Sequence, residues 1–311
     1  MAQAAQNRGP GSIVVYAMPD AAESKATIPA SAFEQSAWLQ RIAYSGPRAP
    51  TLSTLKALVA AHSLAISYES LDVLLGRPPK LDVDVLQDKM VRRRRGGYCF
   101  EQNMLFRAGL RSLGFDVTSL QARVVRGLPI DAPRPALHMV LRVDLPEGPY
   151  LADVGFGNLA PTSALALQPL VEQATPHETM RFITMGDELT LQSQLGDKWE
   201  HIYRVVPHPR FDAEYEIASW YTGSHPGSPY LNNIIAARPG PERTRLTLFN
   251  ARLNIRDDAG RVERRFLDGE SEYCEVLEKL FGVFLTDIEL RAALAAVEER
   301  GARGAPHPFF A

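Results

Sequence analysis

Only two cysteines, Cys99 and Cys274, occur in 311 residues, too few and too differently placed for the disulfide framework of a small secreted domain. A reducing cytoplasm is therefore the expected setting. No apolar stretch approaches the roughly 18 residues of a transmembrane helix, and the patch Ile13-Val14-Val15 is too short for a secretory signal. Charge of one sign is lacking as well: 34 basic against 36 acidic side chains leave a net −2, which offers no global attraction to nucleic acid or an acidic membrane. His62, His177, His201, His208, His225 and His307 stand at no metal-ligand spacing from a cysteine or an acid, so no metal site is expected. There is no internal repeat. With 45% apolar and 23% charged residues, the chain has the make-up of an ordinary soluble protein large enough for two or three core-bearing units.

What is present is concentrated chemistry. Arg94-Arg95-Gly96-Gly97-Tyr98-Cys99-Phe100-Glu101-Gln102-Asn103 puts a cysteine directly after a glycine pair and before a helical run. From Phe100 to Leu113 there is no proline, Phe106, Leu110 and Leu113 recur at helical spacing, and Gly114 stands where a helix C-cap belongs. Cys99 is thus expected in or just before the first turn. The unpaired N–H groups there, helped by an imidazolium, lower a thiol's pKa from about 8.5 and make it a nucleophile. The two glycines are expected to allow a positive φ, a sharp turn and close approach of a substrate. Taken alone, Cys99 could equally be a small buried hydrophobe.

The partners decide between these readings. Leu137 to Val143 reads as a strand, Leu145-Pro146-Glu147-Gly148-Pro149 as a turn and Tyr150 to Val154 as a second strand. If the hairpin centres on Pro146-Glu147, His138 lies opposite Gly155, and Asp153 points to the same sheet face one diagonal step away, about 7–8 Å between backbones. A register slip of one residue would separate them. Each alone reads as a satisfied core histidine or a strand-ending acid; together with Cys99 they form a Cys–His–Asp set, in which the base ionises the thiol and the acid fixes the base's tautomer.

Around these residues, helices are predicted over Phe33–Ile42, from the N-cap Thr51 through Leu52, Leu55, Leu58 and Val59, and over Val83–Val91. Short alternating runs follow: Val117–Val125, Leu137–Val143, Tyr150–Val154, Met180–Met185, Leu189–Leu195 and Trp199–Val205, the signature of a small antiparallel sheet or barrel. A Pro/Gly-rich connection is expected around Ala237-Arg238-Pro239-Gly240-Pro241, then two strands across Asp257-Asp258-Ala259-Gly260 and closing helices. The last of these opens on a capping box, Thr286-Asp287-Ile288-Glu289. Arg92 to Arg95 reads as a solvated or salt-bridged face rather than a nucleic-acid patch. Gly155-Phe156-Gly157 lacks the strand-to-helix setting of a dinucleotide fingerprint.

Arg94 to Glu101, the strand residue His138 and Asp153-Val154-Gly155-Phe156-Gly157 together resemble the arylamine N-acetyltransferase family. The resemblance runs from about Phe33 to about Leu290 and takes in Gly46 to Leu52, Ser70 to Arg77 and Ser219 to Pro226. It implies transfer of an acetyl group from acetyl-CoA to an arylamine, hydrazine or hydrazide by a ping-pong reaction, with no permanently bound cofactor. Cys99 is then the acetyl acceptor, His138 its base and Asp153 the orienting acid; the backbone N–H of Cys99 can serve the oxyanion. Phe156, Tyr68, Gly155 and Gly157 belong to the substrate pocket, and Arg95 pairs structurally with Glu69, while neighbouring arginines steer the phosphates of CoA. The chain departs from the family at Ser67-Tyr68-Glu69-Ser70, where Pro-Phe-Glu-Asn is common, so that a phenol replaces an apolar ring facing the acceptor.

The implied fold is α+β. Residues 1–32 form a flexible extension, 33–115 an N-terminal helical bundle with the nucleophile, and 116–222 a central antiparallel β-barrel with His138 and Asp153. Residues 223–240 are a connection and 241–311 a C-terminal α/β lid, in a cysteine-proteinase-like arrangement. A homo-oligomer is compatible with this reading. The same triad also fits a peptide hydrolase or a transglutaminase-like enzyme, and a non-catalytic relative would keep it for ligand capture alone.

Overall fold

The computed structural model describes residues 33–301; the expected extension over 1–32 lies outside the described residues. Helix α1 (Gln35–Arg41) is followed by α2 (Leu52–Ala65), whose N-cap Thr51 accepts from the Thr54 amide at 3.3 Å. Strand β1 (Tyr68–Glu69) and the short helices α3 (Leu71–Leu74) and α4 (Val83–Leu86) come next; α4 continues as a π-helical turn through Gln87–Arg92. Helix α5 (Cys99–Ser112) then starts on the predicted cysteine and is closed by Gly114 at φ +86°, a conformation glycine adopts without a Cβ penalty.

Helix α5 is the central element of the molecule. All twelve of its residues from Cys99 to Leu110 are buried, so its polar residues cannot rely on water and each is matched inside the protein. Glu101 accepts from Lys89 at 2.8 Å, Gln102 meets His62 at 2.8 Å and donates to the Ser67 carbonyl at 2.7 Å, and Arg107 forks onto Asp212 at 2.6 and 2.8 Å. His62 completes the interior network. Its Nδ1 accepts from the Trp38 indole at 3.3 Å and its Nε2–H donates to Gln102, while burial lowers its pKa to about 4 and keeps the ring neutral.

The alternating runs form one eight-stranded antiparallel sheet: β2 (Asp116–Val124), β3 (His138–Leu145), β4 (Gly148–Ala152), β5 (Leu165–Ala166), β6 (Gln173–Ala174), β7 (Thr179–Met185), β8 (Glu188–Leu195) and β9 (Lys198–Val206), in the order β5-β4-β3-β2-β9-β8-β7-β6. The sheet is nearly closed and barrel-like. A side chain bridges its two ends: the Gln173 amide on β6 accepts from the Ala166 N–H on β5 at 2.7 Å and donates to the Ala166 carbonyl at 3.0 Å. One face buries Leu120, Val140, Leu151, Phe182, Leu191 and Tyr203 together; the other packs Val117, Leu141, Val143 and Ala152 into the core around α5.

Helix α6 (Asp212–Ser224) follows, and a five-stranded antiparallel sheet in the order β1-β10-β11-β12-β13 is completed by β10 (Ile235–Pro239), β11 (Arg245–Phe249), β12 (Arg252–Arg256) and β13 (Val262–Phe266). Strand β10 lies where the sequence reads as a Pro/Gly-rich connection. Its proline sits at the strand end, where the ladder loses least. Helices α7 (Gly269–Lys279) and α8 (Asp287–Gly301) cover this sheet through Tyr273, Leu277 and Leu290, and the capping box of α8 is present, with the Thr286 N–H donating to Glu289 at 3.0 Å and the Glu289 N–H to the Thr286 hydroxyl at 3.2 Å.

Candidate active site

Three elements bring the predicted residues together: the first turn of α5, the start of β3 and the segment after β4. The β3–β4 register pairs Leu141 with Ala152 and Leu145 with Gly148, so its continuation sets His138 opposite Gly155 and puts Asp153 on the same face. His138 Nε2 lies 2.7 Å from Asp153 Oδ2, and the other ring nitrogen is left for Cys99, which lines the same cavity as His138. Burial alone would lower the pKa of His138; the charge and hydrogen bond of Asp153, reinforced by Cys99, raise it instead to about 10. At neutral pH the ring is an imidazolium. Burial likewise opposes the charge on Asp153, but His138 and hydrogen bonds from Asn103 and Gly155 hold its pKa below the ordinary carboxylate value.

Asp153 is fixed on both oxygens. While Oδ2 faces His138, Oδ1 accepts from Asn103 Nδ2 at 3.0 Å and from the Gly155 N–H at 2.8 Å. Asn103 also donates to the Met139 carbonyl at 2.8 Å and accepts from the Val154 N–H at 3.1 Å, so one amide on α5 ties the helix to both strands of the hairpin. Sequence reasoning missed Asn103, although a polar residue one turn beyond a candidate nucleophile is a signal worth following. It also missed Tyr203, whose ring lies 5.1 Å from that of His138 and 5.2 Å from that of Phe156.

The glycine pair does something other than expected. Neither Gly96 nor Gly97 has a positive φ; the left-handed conformation falls on Arg94, at φ +54°. The glycines are required by packing. A Cβ on Gly96 would stand 2.2 Å from the Ser67 carbonyl oxygen and one on Gly97 2.9 Å from Glu101 Cβ, so the space is taken by protein, not held open for a substrate. This tight stretch pairs with β1, the Glu69 N–H donating to the Gly97 carbonyl at 3.1 Å. Gly155 obeys the same logic, since a Cβ there would be 2.8 Å from Cys99 Cα.

A buried ionic lattice holds the loop ahead of Cys99. Arg95 contacts Glu69 at 3.0 Å and Asp72 at 3.3 Å; Lys89 contacts Asp72 at 2.7 Å and Glu101 at 2.8 Å; Glu101 accepts from the Tyr98 N–H at 3.1 Å. Burial works against the charges on Lys89 and Arg95, yet the surrounding carboxylates raise both pKa values. Arg92 and Arg93 instead pair at the surface with Glu34 and Asp88.

Cys99, His138, Gly155, Phe156 and Tyr68 all line one cavity of about 420 Å³. Asp153 is fully buried behind His138. Gly157, at φ +80°, is not among the lining residues and packs against the Tyr68 ring. The lining also includes Tyr221, His225 and Tyr230 from the end of α6 and the following turn, with Arg126 and Arg134. Among the described residues no cluster of His, Cys, Asp or Glu is placed to hold a metal, and no helix is long and apolar enough to cross a membrane.

A family model described as N-acetyltransferase matches residues 51–290. The arylamine N-acetyltransferase of Mycolicibacterium smegmatis is 37% identical, the alignment covering 86% of this chain and 98% of that protein. This chain belongs to the arylamine N-acetyltransferase family. The Escherichia coli (strain K12) arylamine N-acetyltransferase is 36% identical over 80% of this chain and 89% of its own length. Among solved structures, Mycobacterium marinum arylamine N-acetyltransferase in complex with CoA superposes with a TM-score of 0.81 at 36% identity, covering 86% of this chain and 99% of that one. The matched stretch thus runs from just before α2 through both sheets to the start of α8.

Proposed function

We propose that this chain transfers the acetyl group of acetyl-CoA to the nitrogen of an arylamine, hydrazine or hydrazide through an acetyl-cysteine formed on Cys99. The observation that carries the reading is that Cys99 and His138 line one cavity, with Asp153 buried behind the imidazole at 2.7 Å. Named relatives over most of the chain and a CoA-bound structural neighbour support it.

The proton inventory balances over one cycle. The Cys99 thiolate, beside the imidazolium, attacks the thioester carbonyl; the C–S bond to CoA breaks, and His138 gives its proton to the departing sulfur. Negative charge on the carbonyl oxygen is met by the Cys99 N–H, which as a first-turn amide has no acceptor within the helix. A neutral amine then attacks the acetyl-enzyme, His138 takes the proton from its nitrogen, and the Cys99 thiolate leaves. An alkyl amine is mostly protonated at neutral pH and has no lone pair to offer. Anilines and hydrazides are neutral, and Phe156 gives the cavity a flat apolar wall for their rings.

In this reading residues 33–115 present the nucleophile, 116–222 the base and acid, and 241–311 a lid. Two free thiols suit a cytoplasmic setting. Initial rates with acetyl-CoA and an aniline, measured at several acceptor concentrations, test the acetyl-enzyme: parallel double-reciprocal lines are expected, and intersecting lines would replace it with direct attack in a ternary complex.

A further inference from the structure

Other sheet edges are met by the chain itself: the Gln173 amide joins the two ends of the eight-stranded sheet, and β1 is flanked by Gly97. Strand β13, Val262-Glu263-Arg264-Arg265-Phe266, ends the five-stranded sheet, and among the described residues no strand pairs with its outer edge. All five residues are exposed, Val262 by 48% and Phe266 by 69%. An open edge is a template for another strand unless proline, a bulge or opposing charge blunts it. Strand β13 has no proline and keeps an unbroken register with β12.

The ladder fixes which backbone groups face outward. The Leu267 N–H donates to the Ala251 carbonyl at 2.8 Å and the Asp257 N–H to the Arg261 carbonyl at 3.0 Å, at either end of the register that pairs Asn254 with Arg264. Bonded and non-bonded pairs alternate along an antiparallel ladder. Arg261, Glu263, Arg265 and Leu267 therefore turn their backbone groups to β12, and Val262, Arg264 and Phe266 turn theirs outward.

Set antiparallel to a second copy about a two-fold axis at Arg264, every outward residue meets an outward residue: Arg264 meets its own copy, and Val262 meets Phe266 on both sides. Three bonded pairs make about six backbone hydrogen bonds, two for each pair. In the same register Glu263 faces Arg265 twice, in the closer non-bonded pairs. Sliding the copy by two residues would set Glu263 against Glu263 or Arg265 against Arg265, and sliding it by one would face outward groups with inward ones. Among the described residues Glu263 has no ion-pair partner of its own, while Arg265 bonds to Glu272 on α7. Arg264 is drawn back toward β12, away from the axis, by Asn254 Oδ1 at 3.0 Å.

We propose that the outer edge of β13 pairs with the same edge of a second copy of this chain, joining two five-stranded sheets into one continuous sheet across a two-fold axis. A contact of this kind closes as a dimer. None of these residues lines the cavity, so the proposal is independent of the acetyltransferase reading. A paired length of about 17 Å is a small interface, and the association is accordingly weak and concentration-dependent.

Sedimentation velocity of the full chain from about 1 to 300 µM tests it; over this range the average mass should rise from one chain toward two. Glu263→Arg sets arginine against arginine across the axis, and Arg265→Glu sets glutamate against glutamate. Each should raise the Kd roughly ten- to a hundredfold, whereas an equimolar mixture of the two variants, in which opposite charges face each other again, should associate nearly as wild type does. Arg264→Pro removes an outward N–H that β12 does not use, so it should abolish association and leave the fold intact. Thermal melting checks the fold of each variant; if Arg264→Pro alone does not fold, the charge variants and their mixture decide. Wild type that stays a single chain throughout, a folded Arg264→Pro that still dimerises, or a mixture that associates no better than its components would overturn the proposal.

Discussion

Replacing Asp153 by Asn should leave a folded protein whose chemistry is disabled. The carboxylate receives three donors: His138 Nε2 on one oxygen, and Asn103 Nδ2 and the Gly155 N–H on the other. An amide has one oxygen and one NH₂ to divide between those sides. With its oxygen toward His138, the new NH₂ would confront two N–H donors in a dry interior, at a cost of about 1–3 kcal/mol for each buried donor left unbonded. The oxygen therefore stays with Asn103 and Gly155, and the NH₂ faces His138. His138 must then offer Nε2 as a lone pair and carry its proton on the nitrogen that serves Cys99, where it can no longer act as a base. The carboxylate charge that holds His138 up at about 10 is lost as well. A wrong-tautomer imidazole in a comparable triad lowers kcat by about 10⁴-fold, which is about 5.4 kcal/mol in barrier. CoA release measured with a thiol reagent in the presence of a hydrazide, alongside a thermal melt, reads both halves of the expectation. A kcat within about threefold of wild type, less than about 0.7 kcal/mol, would refute the role given to Asp153.

The ionic lattice makes a stability prediction: because Glu69 and Arg95 are buried at 3.0 Å, Glu69→Gln should cost about 2–3 kcal/mol, more than the 0–1 kcal/mol of a surface pair. That corresponds to a melting temperature lower by about 4–10 °C, and an unchanged melt would show that the pair contributes no more than a solvated one. A pH prediction follows from His138, held up at about 10 against an ordinary 6.5. The folded state binds this proton more tightly, so the stabilisation is complete below about 6.5 and disappears as pH rises toward about 10. The melting temperature of wild type should therefore fall relative to that of His138→Gln between these pH values, and parallel curves would contradict the assignment.

Much of the site was legible because it depends on local rules. A two-residue turn at Pro146-Glu147 fixes register, register fixes parity, and parity alone sets His138 and Asp153 on one face. The start of α5 at Cys99 and its stop at Gly114 came from capping and spacing. What escaped depends on distant chain. Glu101, Gln102, Asn103 and Arg107 look like the solvated side of an amphipathic helix, because periodicity cannot reveal that neighbours cover both faces. Lys89, Tyr203 and Tyr230 reach the site from segments with no recognisable chemistry. Gly96 and Gly97 were read for backbone freedom when the constraint is packing, 2.2 Å to the sequence-distant Ser67 carbonyl and 2.9 Å to Glu101 in the first turn of α5. Strand β10 was hidden by its terminal proline, and α6 by exposed Ile217 and Trp220.

Peptide mass spectrometry after incubation with acetyl-CoA alone tests the central claim most directly, because the second cysteine is a built-in control. Cys274 donates its S–H to Glu278 at 3.4 Å, and burial together with that carboxylate raises its pKa. One acetyl group should appear on Cys99 and none on Cys274; iodoacetamide at mildly acidic pH should alkylate Cys99 far faster than Cys274 unless acetyl-CoA has been added first. Adding an aniline should remove the acetyl group, release the acetylated amine and restore the reactivity of Cys99. Acetyl groups distributed equally over both cysteines, or a Cys99 unprotected by acetyl-CoA, would contradict the account.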